Sequence, residues 1–168
     1  DNEMLRDFSQ KLGFGATFTP PFLVSEEVCS SSRVRACLRE GDAAEAARLL
    51  GHWWAIEGEV MQGDQRGRQL GFPTANLSLQ DYVEPKFGVY AVRVEIEDGA
   101  GNIRACHAGV ANIGRRPTFD KEDVTLEVHI FDFAEDIYGT IVRVSLIGFL
   151  RPEQKFDGLE SLKAQIAK

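Results

Sequence analysis

Cysteine is scarce: Cys29, Cys37 and Cys106 are the only three in 168 residues. An odd number without C-x-x-C spacing builds neither a disulfide framework nor a thiolate metal or redox site, so a reduced, cytoplasmic setting is expected. Positive charge is also short. Lys and Arg number 19 against 26 Asp and Glu, a formal net charge of −7. The basic residues are scattered, so no continuous surface is offered to a nucleic-acid backbone, and nucleic acid is not an expected partner. No apolar run approaches the roughly 20 residues that span a bilayer, and the opening residues do not resemble a signal peptide, so no membrane association is expected either. Histidine is limited to three positions. None has a second His or an acidic residue at metalloenzyme spacing, which leaves zinc or two-metal hydrolysis without support. Internal repeats and low-complexity tracts are absent.

What is present is the balance of a folded protein, 43% hydrophobic and 27% charged, in a length that suits one domain with an appendage. Met4, Leu5, Phe8 and Leu12 fall at helical spacing, with Gly13 as a stop. Phe18 to Val24 reads as a short strand interrupted by Pro20-Pro21. Ser30-Ser31-Ser32 is rich in N-cap residues and opens a helix ending near Arg39, where Gly41 stops it; Asp42 caps a further helix through Leu50. After Gly51 the periodicity changes. Trp53 to Met61, Gly88 to Glu97, Ile103 to Ala111, Val124 to Phe133 and Thr140 to Leu150 are rich in β-branched and aromatic residues and separated by turn residues. Five or six such strands in succession predict an antiparallel sheet that closes on itself. Ser161 to Ala167 predicts a final helix, with Leu162 and Ile166 on the face that packs.

One stretch concentrates chemistry. Gly63-Asp64-Gln65-Arg66-Gly67-Arg68-Gln69-Leu70-Gly71 lets the backbone turn tightly and bring N–H groups to an anion, with Arg66 and Arg68 adding charge. The same glycines also fit an ordinary turn between strands. The stretch lacks the Gly-Lys-Ser/Thr ending of a P-loop and leads into no obvious helix, which argues against a Walker-type NTPase. In Pro73-Thr74-Ala75-Asn76 the period of two sets the Thr74 hydroxyl and Asn76 amide on one side of an extended segment. Two neutral oxygens can complete the shell of a Mg²⁺ ion whose charge is met mainly by phosphates; side-chain to backbone bonds that stabilise a turn are the other reading. Further on, Val124, Leu126, Val128 and Ile130 alternate to one face. Thr125, Glu127, His129 and Phe131 take the other, so Glu127 projects off the apolar stripe as a candidate proton acceptor, with His129 as competitor by intrinsic pKa.

The run Gly63 to Asn76, ending Leu-Gly-Phe-Pro-Thr-Ala-Asn, resembles the ATP and magnesium loop of riboflavin kinases, including the kinase half of bacterial bifunctional riboflavin kinase/FMN adenylyltransferases. The resemblance continues in order through Gly88-Val89-Tyr90-Ala91, Ala111-Asn112-Ile113-Gly114-Arg115-Arg116-Pro117-Thr118-Phe119, Leu126-Glu127-Val128-His129, Tyr138-Gly139 and Leu150-Arg151-Pro152-Glu153-Gln154-Lys155-Phe156-Asp157. It implies a mainly β fold, a six-stranded antiparallel, Greek-key-like barrel with a C-terminal helix over residues 52–168. It implies ATP as co-substrate, Mg²⁺ held by Thr74 and Asn76, and phosphorylation of the riboflavin 5′-hydroxyl to FMN with Glu127 as general base. By the same carry-over Gly63 and Arg68 meet the ATP phosphates, and Ile130, Asp132 and Tyr138 line the nucleotide pocket. Arg151, Gln154 and Phe156 face the flavin, although some relatives carry Lys at the position of Gln154. A flavin- or nucleotide-binding barrel without turnover is the alternative.

Ser30-Ser31-Ser32-Arg33-Val34-Arg35 resembles the Ser-Ser-Thr-x-Ile-Arg element that binds phosphates at a helix start in nucleotidyltransferases, including the adenylyltransferase half of the bifunctional enzymes. The His-x-Gly-His element of that half is not in the sequence. Residues 1–51 are therefore expected to be the end of such a domain, a small α/β remnant. FMN adenylylation is not expected of this chain, while a longer parent, with its own N-terminal adenylyltransferase domain as partner, is expected to make FAD.

Overall fold

The structure, a computed structural model, describes residues 2–24, 26–62, 74–79, 81–117 and 122–154, without the side chains of 116, 117, 122 and 123. Helix α1 (Asn2–Leu12) leaves its apolar residues Met4, Leu5, Phe8 and Leu12 exposed. A two-residue ribbon follows, β1 (Leu23–Val24) against β2 (Glu27–Val28). Pairing is thus confined to the last two residues of the predicted 18–24 strand, downstream of Pro20-Pro21, which remove two ladder donors.

Helices α2 (Ser31–Glu40) and α3 (Ala43–Leu50) form where the caps predict them. The Ser30 hydroxyl accepts from the Arg33 N–H, Asp42 accepts from the Glu45 N–H, and the helices end on left-handed glycines, Gly41 and Gly51. Val34, Cys37, Leu38, Ala46 and Leu49 bury their common face.

The remaining strands make one sheet: β3 (Ala55–Glu59), β4 (Ala75–Ser78), β5 (Gly88–Glu97), β6 (Ile103–Pro117), β7 (Glu122–Ile130) and β8 (Ile141–Arg151). Their spatial order is β3-β8-β5-β6-β7-β4, every pair antiparallel. Within it β8-β5-β6-β7 is a Greek key, three hairpin-connected strands with the fourth returned beside the first. Register shifts between Val89 and Tyr90 and between Ala91 and Val92 bend β5 against β8. The sheet curls until its edges meet, where the Met61 N–H donates to the Asn76 carbonyl at 2.9 Å. This is the six-stranded antiparallel barrel, nearly closed, that the strand pattern and the resemblance predict. Inward positions are apolar: Tyr90, Val92, Val94 and Ile96 on β5, Leu126, Val128 and Ile130 on β7, and Val142, Val144 and Leu146 on β8 are buried in one core. Helix α3 lies against β8, and the Lys86 N–H donates to the Leu38 carbonyl at 2.9 Å, fastening the helical pair to the barrel. The predicted helix at 161–167 lies outside the described residues.

Candidate active site

Strand pairing gathers the candidates that sequence alone leaves apart. On β7, Leu126 and Val128 are buried in the core and Glu127 points the other way, half-buried on the outer wall, as the alternation predicts. Its partner on β4 is Asn76, and its partner on the opposite side, on β6, is Asn112. Side chains directly opposite each other in an antiparallel pair stand about 5 Å apart at Cβ, so the carboxylate is bracketed by two carboxamides. Continuing across the sheet, Asn112 pairs with Val89, and Val89 with Arg151. One row thus runs Asn76, Glu127, Asn112, Val89, Arg151, drawing on five strands.

Asn76 is only 8% exposed despite its outward position. Its Nδ2 makes a long hydrogen bond of 3.5 Å to the Thr74 carbonyl, which leaves the amide oxygen as the atom for a ligand. Thr74 itself lines a cavity of about 190 Å³ at one end of the barrel, together with Val60, Ala75, Val128, Ile130 and the 133–138 turn. Of the residues assigned to the nucleotide, Ile130 and Tyr138 share this cavity with Thr74. Asp132 does not line it; exposed and with φ of 52°, it makes the turn that leaves β7. The acidic run after it is committed locally, Glu135 to Arg104 at 2.9 Å and Asp136 to the Tyr138 N–H at 3.1 Å.

Arg151 ends β8 and donates from Nη1 to the Pro152 carbonyl at 3.1 Å, while Gln154 is exposed at the end of the described segment. His129 stands on the same outer face as Glu127, two residues on, with its ring 5.8 Å from that of Phe131. Gly63, Arg68 and Phe156 lie outside the described residues. At the start of α2, Arg33 is drawn into ion pairs with Glu27 and Glu45, and Arg35 donates to the Ser31 hydroxyl. The guanidinium of Arg33 is therefore turned to carboxylates of its own fold.

The donor set is compatible with a hard cation, and the Asn76 Nδ2 bond to the Thr74 carbonyl is also the side-chain to backbone contact that a turn would use. Thr74 and Asn76 offer neutral oxygens, and among the described residues no group of three or more His, Cys, Asp or Glu converges as a self-sufficient metal centre. A cation here needs its charge met by a polyanionic ligand. Asn112 is the functional candidate that sequence reasoning quoted without assigning: alternation tells which face a residue takes, but only the pairing register tells which residue stands beside it. The three cysteines are unpaired, and among the described residues no helix is long and apolar enough to cross a membrane.

A family model described as riboflavin kinase (flavokinase) matches residues 50–168. The bifunctional riboflavin kinase/FMN adenylyltransferase of Escherichia coli strain K12 is 44% identical over 165 residues, which cover 98% of this chain and 51% of that protein. Its namesake from Bacillus subtilis strain 168 is 39% identical over 158 residues, covering 92% and 48%. This chain spans about half the length of the curated relatives it matches. A crystal structure described as a macrolide-efflux protein from Streptococcus pneumoniae superposes with a TM-score of 0.80 at 36% identity, covering 96% of this chain and 52% of that one.

Proposed function

This chain belongs to the riboflavin kinase family, and from that premise we propose that it transfers the γ-phosphoryl group of ATP to the 5′-hydroxyl of riboflavin, releasing FMN and ADP. The observation that carries the reading is the register that brackets Glu127 between Asn76 and Asn112, on a strand whose next inward residues, Val128 and Ile130, wall the cavity that Thr74 and Tyr138 also line.

Phosphoryl transfer to an alcohol asks a protein mainly to align the nucleophile and neutralise charge, with a base to take the hydroxyl proton. Glu127 takes that proton, and the flanking carboxamides keep its surroundings polar without adding a competing charge. The oxygens of Thr74 and Asn76 would hold Mg²⁺, which when bound supplies positive charge to the ATP phosphates. Ile130 and Tyr138 give the nucleotide an apolar wall, Asp132 shapes the turn at its edge, and Gly63 and Arg68 meet the phosphates. Arg151 and Gln154 donate to the flavin carbonyls, and Phe156 offers its ring to the isoalloxazine.

Residues 1–51 are read as the end of a preceding nucleotidyltransferase unit and 52–168 as the kinase unit. The separate core of α2 and α3 and the start of the family match at residue 50 support that division. In a longer parent the preceding unit would adenylylate FMN to FAD, in the cytoplasm.

The test is incubation of the purified chain with riboflavin, ATP and Mg²⁺, flavins being resolved by chromatography, beside a Glu127→Ala variant of unchanged circular dichroism. FMN is expected from the parent, with kcat at least about a hundredfold lower in the variant. A folded parent that forms no FMN would reduce the barrel to a binding module; undiminished turnover in the variant would remove Glu127 as base.

A further inference from the structure

Just past the end of β8, Glu153 reaches back to the outer face of β6, where the Asn112 Nδ2 donates to its Oε1 at 2.9 Å, across 41 residues of sequence. A second contact fixes the same carboxylate. Gly114 lies two residues from Asn112 on the same face of β6, and a Cβ there would stand 2.8 Å from Cδ of Glu153 and nearer still to Oε1. The bare backbone of Gly114 is thus a seat for the Glu153 carboxylate, which covers it so that Gly114 is buried although it points outward. Hydrogen bond and seat meet at the same carboxylate, Oε1 taking part in both.

We propose that Glu153 is a positioning residue for riboflavin: clasped by Asn112 and seated on Gly114, it pins the segment after β8 across the barrel wall, one strand from Glu127. The two residues flanking it within two positions, Arg151 and Gln154, are those read as flavin donors, and neither can settle its donors on a ligand while the backbone between them is loose. A charge-assisted hydrogen bond from a neutral amide suits the task, since it is directional and stronger than a neutral pair. Asn112, the immediate neighbour of Glu127 in register, makes the clasp an extension of the row that holds the base. The loss of the clasp should therefore be felt in flavin affinity and hardly in the proton transfer.

This inference rests on the kinase reading, and the experiment separates the two. Riboflavin and ATP kinetics are measured for the parent chain and for Glu153→Ala, Glu153→Gln and Gly114→Ala, with thermal midpoints and riboflavin binding by flavin fluorescence alongside. Glu153→Ala should raise the KM for riboflavin, and weaken its binding, by about tenfold, with kcat within about twofold and the KM for ATP and the midpoint unmoved. Glu153→Gln keeps an acceptor oxygen and should recover most of the affinity. Gly114→Ala, which unseats the carboxylate by a single methyl, should reproduce the Glu153→Ala effect. An unchanged riboflavin KM in Glu153→Ala, a Gln variant no better than Ala, or a shift that follows the thermal midpoint overturns the clasp while leaving the kinase reading intact. A parent chain that neither binds riboflavin nor makes FMN overturns both.

Discussion

The barrel and the helical pair before it are stabilised in different ways. Among the described residues nineteen buried residues make the barrel core, drawn from every strand of the sheet and with Ala43 of α3 among them, against five that form the separate core of α2 and α3. The barrel wall therefore has an apolar inner face that supplies cohesion and an outer face that carries the proposed base, and its outer residues can be exchanged without touching the core. The pair has no such reserve. It leans on its caps and on surface pairs such as Arg48 with Glu45 at 2.6 Å, a hydrogen bond that holds the Glu45 carboxyl below its ordinary range. Pairs this exposed are worth little each. Burial in the barrel uncouples stability from the outer surface; in the pair, a core of five residues leaves caps and surface contacts a larger share of the stability.

The sharpest break of that contrast is on β7, where neighbouring residues serve opposite sides of the wall. Leu126→Ala, at a fully buried position, is expected to cost about 2–5 kcal/mol in denaturant unfolding, whereas Glu127→Ala next to it should leave the midpoint in place and lower kcat by at least about a hundredfold. Next in size is Tyr90, 1% exposed, whose hydroxyl donates to the Lys86 carbonyl at 2.7 Å. Burial pushes its phenol from 10 up to about 12. Between those values the unfolded chain has lost a proton that the folded one keeps, so the contribution is complete below pH 10 and is lost as pH rises toward 12. Subtracting the Tyr90→Phe stability curve from that of the parent should isolate about 2–3 kcal/mol of alkaline loss; parallel curves would mean the phenol ionises in place. The smallest effect belongs to the pair: Asp42→Ala, which deletes the bond from the Glu45 N–H at 2.9 Å, should cost about 1 kcal/mol by thermal unfolding, with kinase turnover unaltered. A matching loss of turnover would show that the two regions are not separable.

Much of the barrel was legible because inward Val, Ile and Leu alternate with polar residues, and a period of two leaves little choice of face. Hence β5 matches its predicted span, and Glu127 was placed on the outer wall from its neighbours alone. The signal failed where composition imitates a turn: β6 runs on past Ala111 through Asn112-Ile113-Gly114-Arg115-Arg116 to Pro117, a stretch whose Gly and Asn suggest a break but whose glycine lies within the strand, against the Glu153 carboxylate. Strand β4 is four residues long, too short to announce itself by alternation. The site was readable residue by residue and not as a constellation, because the pairing of Asn76 and Asn112 with Glu127 depends on partners 51 and 15 residues away in the chain.

Among the described residues the edges of the barrel are joined by one backbone bond, from the Met61 N–H to the Asn76 carbonyl. The residue that ties the knot with its backbone is the one whose side chain stands beside Glu127. On the proposed reading, in which Asn76 holds a ligand, seam and site then share one residue, and a ligand that binds the closed barrel better than an opened one would stabilise the closure by its binding energy.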